Sequence, residues 1–584
     1  MQGQVSQNGN IKGPRRSRKK TIALPALRRD ALWFGVMMLA WSAVHAQTVP
    51  NAGSVLRETA PAPRPAAPVA PLLLPPQPVA PVASAEQAPA ISFTLRQVEF
   101  SGNSAFDNAT LQALVADKIG QPVTFADLEA LAARVTAHYR DAGYLLAQVV
   151  LPAQDVAGGN VALSVIEGRL GSVRIESQGT LPLPEATVRK VLAPIKPGAP
   201  LQKGRLERSM LLLTDLPGIA PQSSLESGTE PGTFDLIVDL RPAKRINYSI
   251  DADNYGSRAT RETRVGGFMR VNSPFGRGDN LDLRVLSSTG KGLAFGRAAY
   301  ETPLNYNGLR AGAAYSHLEY ELIKELAALG ATGQARVSEV SLSLPLVRSR
   351  LDNFFGRLSF EHKALTDDLS AVSQSSRKNI NSLGAGFVYE GRESAGMGAY
   401  NNLGITAYFG NLSIGSPAEL AADQAPGALH TAGRNTRLVY QASRLQALST
   451  RTSVLLAVAG QWANSNLDSA EKISAGGARA VRAFASSSGL GDEVHVFNAE
   501  YRWAFHPEAS ASLFYDAGFV SAVNHDPVPG IDNKYLLRGA GLGLTWNTKG
   551  GLSLRSSLAW RIGDKREGEI DRQPRLFAQV MQTF

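Results

Sequence analysis

The sequence predicts a transmembrane β-barrel of about 16 antiparallel strands, preceded by two small α/β modules. Three observations carry that prediction. Residues 244–584 alternate apolar with polar or charged residues and carry no clear helical pattern. A β-α-α-β-β order spans residues 93–169 and recurs at lower fidelity over 170–243. The chain ends in an alternating strand, Leu576–Phe584, whose last residue is aromatic.

The amino terminus accounts for most of the basic balance. The 584 residues carry a formal net charge of +10, but residues 1–46 hold eight Lys and Arg against Asp30 alone. The apolar run Ala31–Ala43 follows, then Val44-His45-Ala46, with small residues where a cleavage site needs them. The run is too short to cross a bilayer as a helix, so residues 1–46 read as a secretory signal peptide. Setting that segment aside leaves a charge of about +3, and a basic arm for nucleic acid is unnecessary. The chain has no Cys, so disulfides, a thiolate nucleophile and Cys-ligated metal are excluded.

Residues 47–92 are dominated by Pro and Ala, which lock φ and remove amide donors, and read as a semi-rigid linker. Within them Asn51–Thr59 has room for one or two helical turns, too short to stand alone and a possible plug. In the first module Thr94–Phe100 alternates as a strand. Asn108–Ile119 follows as a helix, and Thr124 caps a longer one carrying Leu128, Leu131, Ala132, Val135 and Tyr139. Gly143 stops that helix, and strands are expected over Tyr144–Leu151 and Val161–Glu167. The second module is expected to hold strands over Ser172–Ser177 and Thr233–Leu240, and helices over Glu185–Leu192 and Leu206–Leu213.

From residue 244 the alternation takes over. Ile246, Tyr248, Ile250 and Ala252 interleave with Asn247, Ser249, Asp251 and Asp253, while Leu552, Leu554, Leu558, Trp560 and Ile562 share a face opposite Ser553, Arg555, Ser557 and Arg561. A dry sandwich core could not hold those charges unpaired, whereas strands between lipid and a wet lumen present that pattern. A closed barrel also satisfies every backbone polar group inside a bilayer. The low charged fraction, 19%, fits a structure that leaves one whole face to lipid. Residues 417–435 and 468–494 have the least strand character and read as extracellular loops or inserts into the lumen of a wide pore.

Four stretches resemble the outer-membrane transporters of two-partner secretion, the haemolysin secretion/activation proteins of the POTRA-plus-barrel superfamily. They are Gly143-Tyr144 with Ala147, Val149, Leu151-Pro152, Gln154 and Val165-Ile166-Glu167-Gly168; Asp253–Arg258 with Asn272, Pro274, Gly276, Gly278 and Asp279; Gly476-Gly477 with Val481-Arg482-Ala483-Phe484; and Phe514-Tyr515-Asp516-Ala517-Gly518. The third is similar to a V-R-G-(F/Y) motif at the tip of a loop folded into the barrel, with Ala483 where the motif has Gly; the fourth matches F-x-D-x-G on a nearby strand.

The resemblance implies an outer-membrane transporter with periplasmic POTRA modules at 93–169 and 170–243 and a barrel over 244–584. Such a transporter exports an unfolded partner exoprotein of adhesin, haemagglutinin or haemolysin type, without ATP. An assembly factor for other barrels and a passive porin are the alternatives. The first fits two modules poorly, and the second leaves both unexplained. Val481, Arg482, Phe484, Asp516 and Gly518 are expected to latch the loop, through a bidentate Arg482–Asp516 pair. Tyr139, Tyr144, Ala147, Val149 and Leu151 are candidates for partner recognition by strand addition. The histidines show no metal spacing and nothing resembles a catalytic set, so no cofactor, metal or enzymatic role is expected. Outer-membrane lipid is the remaining partner, nucleic acid is not one, and the barrel is expected to be monomeric.

Overall fold

The computed structural model describes residues 49–59, 92–156, 158–230, 232–527, 532–563 and 572–584. The expected signal peptide and most of the Pro-rich stretch lie outside them.

The first ordered element is a short helix, α1 (Ala52–Glu58), started by a capping box between Asn51 and Ser54. In the first module, β1 (Phe93–Thr94) pairs with β3 (Pro122–Val123). A three-stranded sheet in the order β2-β5-β4 is built from β2 (Gln97–Ser101), β4 (Gln148–Val150) and β5 (Asn160–Ile166). Helices α2 (Asn108–Val115) and α3 (Phe125–Asp141) cover it. A capping box between Thr124 and Asp127 starts α3, and Gly143, at φ +94°, turns the chain away after it. The expected strand over Tyr144–Leu151 is shorter than its alternation suggests, because Gly143-Tyr144 is spent on closing the helix: the Tyr144 N–H donates to the Tyr139 carbonyl at 2.9 Å.

The second module repeats that order as β6 (Arg169–Ser177), α4 (Glu185–Leu192), α5 (Lys203–Thr214), β7 (Ile219–Ser227) and β8 (Thr233–Pro242), with sheet order β6-β8-β7. The strand β7 has no counterpart in the sequence reading. Only Ile219 and Leu225 of its nine residues are buried, and Pro221 masks the alternation.

Sixteen strands then close a barrel. They are β9 (Ile246–Asp253), β10 (Arg264–Asn272), β11 (Asn280–Ser288), β12 (Leu293–Pro303), β13 (Arg310–Glu321), β14 (Ala331–Arg348), β15 (Asp352–Leu369), β16 (Gln374–Glu393), β17 (Ala399–Ile414), β18 (Gly433–Ala447), β19 (Thr452–Ala463), β22 (Glu493–His506), β23 (Ala509–Ser521), β24 (Lys534–Asn547), β25 (Leu552–Arg561) and β26 (Arg575–Thr583). Two dipeptide strands, β20 (Ile473–Ser474) and β21 (Leu490–Gly491), pair inside the loop between β19 and β22. Every barrel pairing is antiparallel, and the closing pair β26–β9 shares five residue pairs, Gln579–Thr583 against Ser249–Asp253. The barrel meets the expected architecture and strand number.

Alternation sorts the two faces. Ile246, Tyr248 and Ile250 are exposed outward, while Asp251 and Asp253 face the lumen and are buried there. Paired charges line that lumen wall: Arg264 forks onto Asp253 at 2.8 and 3.1 Å, and Arg270 onto Asp282 at 2.6 and 2.7 Å. Gly266 makes room for a third pair, Arg284–Asp251, since a Cβ there would lie 2.6 Å from Arg284 Nη2. The second module abuts the short turns at one end of the barrel, where Arg348 clasps Asp215 at 2.8 and 2.7 Å.

Candidate functional site inside the lumen

Among the described residues two bodies occupy the lumen, and both are traceable to the sequence. Of the two segments with little strand character, 417–435 carries one helix, α6 (Pro417–Asp423). The other, 468–494, folds back into the barrel. Its tip lies against the inner surface of β22–β24, over residues that share lateral rows. One row is Asn498–Asp516–Gly539–Arg561, the next Val496–Gly518–Leu537, and on the other side Glu500–Phe514–Gly541.

On the central row Arg482 donates from Nε and Nη2 to the two Asp516 oxygens at 2.9 and 2.8 Å, and its own amide N–H reaches Asp516 at 3.0 Å. Its third arm, Nη1, reaches Glu500 at 2.8 Å, and the guanidinium carbon lies 3.3 Å from the Phe514 ring centre. Asn498 completes the row, donating from Nδ2 to Asp516 at 2.8 Å and to the Ala480 carbonyl at 3.0 Å. Asp516 is fully buried, so an unpaired carboxylate there would be costly. Beside it Val481, fully buried, seats over Gly518, where a Cβ would lie 2.8 Å from Val481 Cγ2. Phe484, 2% exposed, packs into the same apolar cluster with Ala475, Val494, Val520 and Leu537. The structure thus brings Val481, Arg482, Phe484, Asp516 and Gly518 into one contact. Ala483 keeps its backbone out of the left-handed region, so it is not strained where the motif has Gly.

Sequence reasoning passed over Asn498 and Glu500. Both fall on lumen-facing positions of β22, two residues apart, and strand alternation is the signal that could have found them.

The second body is α1, which lies against β13, β14 and β15. The Ala52 N–H donates to Asp367 at 2.7 Å, Arg264 donates to the Glu58 carbonyl at 2.7 Å, and the Ser257 N–H donates to the Glu58 carboxylate at 3.1 Å. It also touches the inward loop: Ser469 Oγ donates to Asn51 Oδ1 at 2.7 Å. A Cβ on Gly53 would lie 2.5 Å from the Ala470 Cα and 2.6 Å from its N, so helix and loop meet backbone to backbone. The next loop residue, Glu471, is gripped by Lys363 of β15 at 2.6 Å and by Arg437 of β18.

The recognition candidates in the first module are placed differently. Tyr139, Ala147 and Val149 are core residues, 0, 0 and 6% exposed, while Tyr144 and Leu151 are half-buried against the same cluster. The side chains of Tyr139, Ala147 and Val149 close the module, and the alternation marks the face turned to the helices; strand addition at β4 would engage its main chain and not these side chains. Tyr139 donates to Glu167 at 3.2 Å, and that carboxylate also accepts the N–H groups of Ser104 and Ala105 at 2.5 and 2.7 Å. Burial alone would raise the Glu167 pKa, but the Ser104 hydroxyl and those two amides outweigh it and hold the carboxyl below its ordinary range. Burial, then the Glu167 charge, raises the Tyr139 hydroxyl. The edge strand β4 is partly satisfied already, since the Val149 N–H donates to Thr136 Oγ1 at 2.9 Å.

Comparison with known proteins agrees with this architecture. Residues 93–168 match the ShlB-type POTRA domain, and residues 232–546 match the haemolysin secretion/activation protein family ShlB/FhaC/HecB. The heme/hemopexin transporter protein HuxB of Haemophilus influenzae (strain 86-028NP) is 26% identical over 82% of this chain and 85% of its own length. The outer membrane transporter CdiB of Escherichia coli O6:K15:H31 is 23% identical over 80% of this chain and 77% of its own. Among solved structures, CdiB from Escherichia coli superposes with a TM-score of 0.68 at 20% identity, covering 97% of this chain and all of that one. BamA from Haemophilus ducreyi lacking POTRA domains 1–3 gives 0.51 at 16% identity, over 85% of this chain and all of the other. The chain belongs to the ShlB/FhaC/HecB family of haemolysin secretion/activation proteins and is an outer-membrane transporter that exports a partner exoprotein.

Proposed function

We propose that Arg482 and Asp516 form the latch that holds the inward loop in the resting transporter, with Val481 and Phe484 as its apolar seat and Gly518 as the space that seat needs. The observation that carries this reading is the saturation of Arg482, whose three arms and backbone N–H all meet acceptors on β22 and β23. A fork on a buried carboxylate is geometrically demanding, so it selects one loop position. Partner capture belongs to exposed sheet edges, by main-chain pairing with an unfolded chain. The edge favoured here is β7, nine residues long and mostly exposed, over the three-residue β4. The barrel works as a monomer embedded in outer-membrane lipid, and the transporter acts without catalysis, the passenger's folding outside supplying the direction.

Reversing the charge with Asp516→Arg tests the latch. Two guanidinium groups would then share a site built for one, and breaking a buried pair costs about 3–5 kcal/mol. Export of a co-produced partner should fall at least tenfold while the barrel still inserts; normal export with normal insertion sinks the latch.

A further inference from the structure

The loop tip meets a third strand at a position outside every motif considered above. Gly539 of β24 sits beside Asp516 in the lateral row, and Ala483 lies directly over it. A Cβ built on Gly539 would lie 2.5 Å from the Ala483 Cβ and 3.5 Å from the Ala483 N. Its remaining neighbour, the Trp560 carbonyl, would be 3.2 Å away, a distance that small shifts relieve. Ala483 is fully buried in this contact, and its carbonyl accepts from Gln573 at 3.4 Å on the far side.

The tip therefore advances one strand at a time. Ala480 is tied to Asn498 on β22, Arg482 to Asp516 on β23, and Ala483 rests on Gly539 of β24. Fork geometry tolerates little displacement, so the height of Ala483 above the sheet sets whether Arg482 reaches both Asp516 oxygens. We propose that Gly539 is a positioning residue of the latch: its missing Cβ accepts the Ala483 methyl, and the two sites together carry one methyl where two would lift the tip. The pair answers the departure at Ala483, since the room a Gly would leave in the loop is supplied by a Gly in the wall. The inference rests on the latch reading for its consequence in export, though not for its geometry.

The chain's lack of Cys permits a direct test in the full-length protein in outer membranes. A single reporter, Val481→Cys, is buried while the tip is seated, and its labelling rate by a small maleimide reads the tip's position. Gly539→Ala should raise that rate about tenfold, as overpacking of a closed contact does. Ala483→Gly alone should change it less than about threefold, and Ala483→Gly combined with Gly539→Ala should return it to the parent value. Ala483→Val, which reaches the same contact without touching the barrel strand, should also raise it, so a Gly539→Ala protein that fails to insert leaves the inference testable. Unchanged labelling in Ala483→Val or in an inserted Gly539→Ala, or no restoration in the double variant, overturns the inference. Export measured alongside, with Val481 intact, separates the two readings. Raised labelling with normal export would fail the latch and keep the positioning role.

Discussion

The loop tip and the helix α1 occupy the same lumen and each buries one arginine, yet the two are held by opposite means. Arg482 has its guanidinium shared between Asp516 and Glu500, and Phe514 lies beneath it. The nitrogens of the Arg57 guanidinium are also buried, but they have no hydrogen-bond partner among the described residues. The nearby carboxylates are already committed, Glu471 to Lys363 and Arg437 and Asp468 to Lys378. The helix is instead held at its ends, through Ala52 to Asp367 and through Glu58 to Ser257 and Arg264. A buried guanidinium without hydrogen bonds costs free energy that a matched one does not, so the helix is held less firmly than the tip. On that difference the helix is expected to leave before the tip.

The largest effect expected in breaking that comparison is at Glu471. Replacing it with Gln leaves Lys363, Arg437 and Arg57 facing a neutral amide, a loss of about 3–5 kcal/mol. Since Glu471 ties the loop to β15 and β18 and lies beside the helix contact, both bodies should loosen. Ion conductance in planar bilayers should rise well above the parent, and a parent-like trace would mean that this cluster anchors neither. A smaller and more selective break is Gly53→Val. Its side chain would run into the Ala470 backbone, which cannot rotate away, and overpacking of this kind costs about 1–3 kcal/mol. Conductance should rise here also, but a Val481→Cys reporter should stay protected, because the tip's contacts with β22–β24 do not involve the helix. A tip exposed by Gly53→Val would show that helix and tip move as one.

How much of this was legible beforehand follows from where each signal resides. The barrel is written locally: alternation with charge on one face needs lipid outside and water inside, and 16 strands followed from length alone. The latch was legible as residues, Arg482 and Asp516, because the resemblance picks out both. Its completeness was not, since Asn498, Glu500 and Gly539 acquire meaning only when β22, β23 and β24 are brought into register. The same limit hid the role of Gly53, which matters through Ala470, more than 400 positions away. In the first module the sequence marks Tyr144–Leu151 as a strand edge for a partner's main chain, and its alternation also marks one side as buried. Periodicity gives a buried face without naming what covers it, and α3 covers it here. The strand β7 escaped because its exposed edge position needs few apolar residues.

The finest test of the comparison is Arg57→Met. Methionine keeps a long unbranched stem of similar reach, so the packing of the half-buried side chain is largely retained while the unsatisfied donors and the charge are removed. Removing buried donors that make no hydrogen bond should stabilise the seated helix by about 1–2 kcal/mol. That corresponds to a shift of roughly five- to thirtyfold in the balance between seated and displaced helix. In single-channel recordings the time spent in the high-conductance state should fall by about that factor, and export should slow, with the tip reporter unchanged. Arg57→Lys keeps the charge and should stay near the parent. The opposite result, more frequent opening in Arg57→Met, would mean that attraction across the gap to Glu471 outweighs the missing hydrogen bonds. In that case both arginines hold their segments in, by a matched fork in one case and by longer-range attraction in the other, and the order in which the two bodies leave would have to come from the backbone contacts at Ala52 and Glu58.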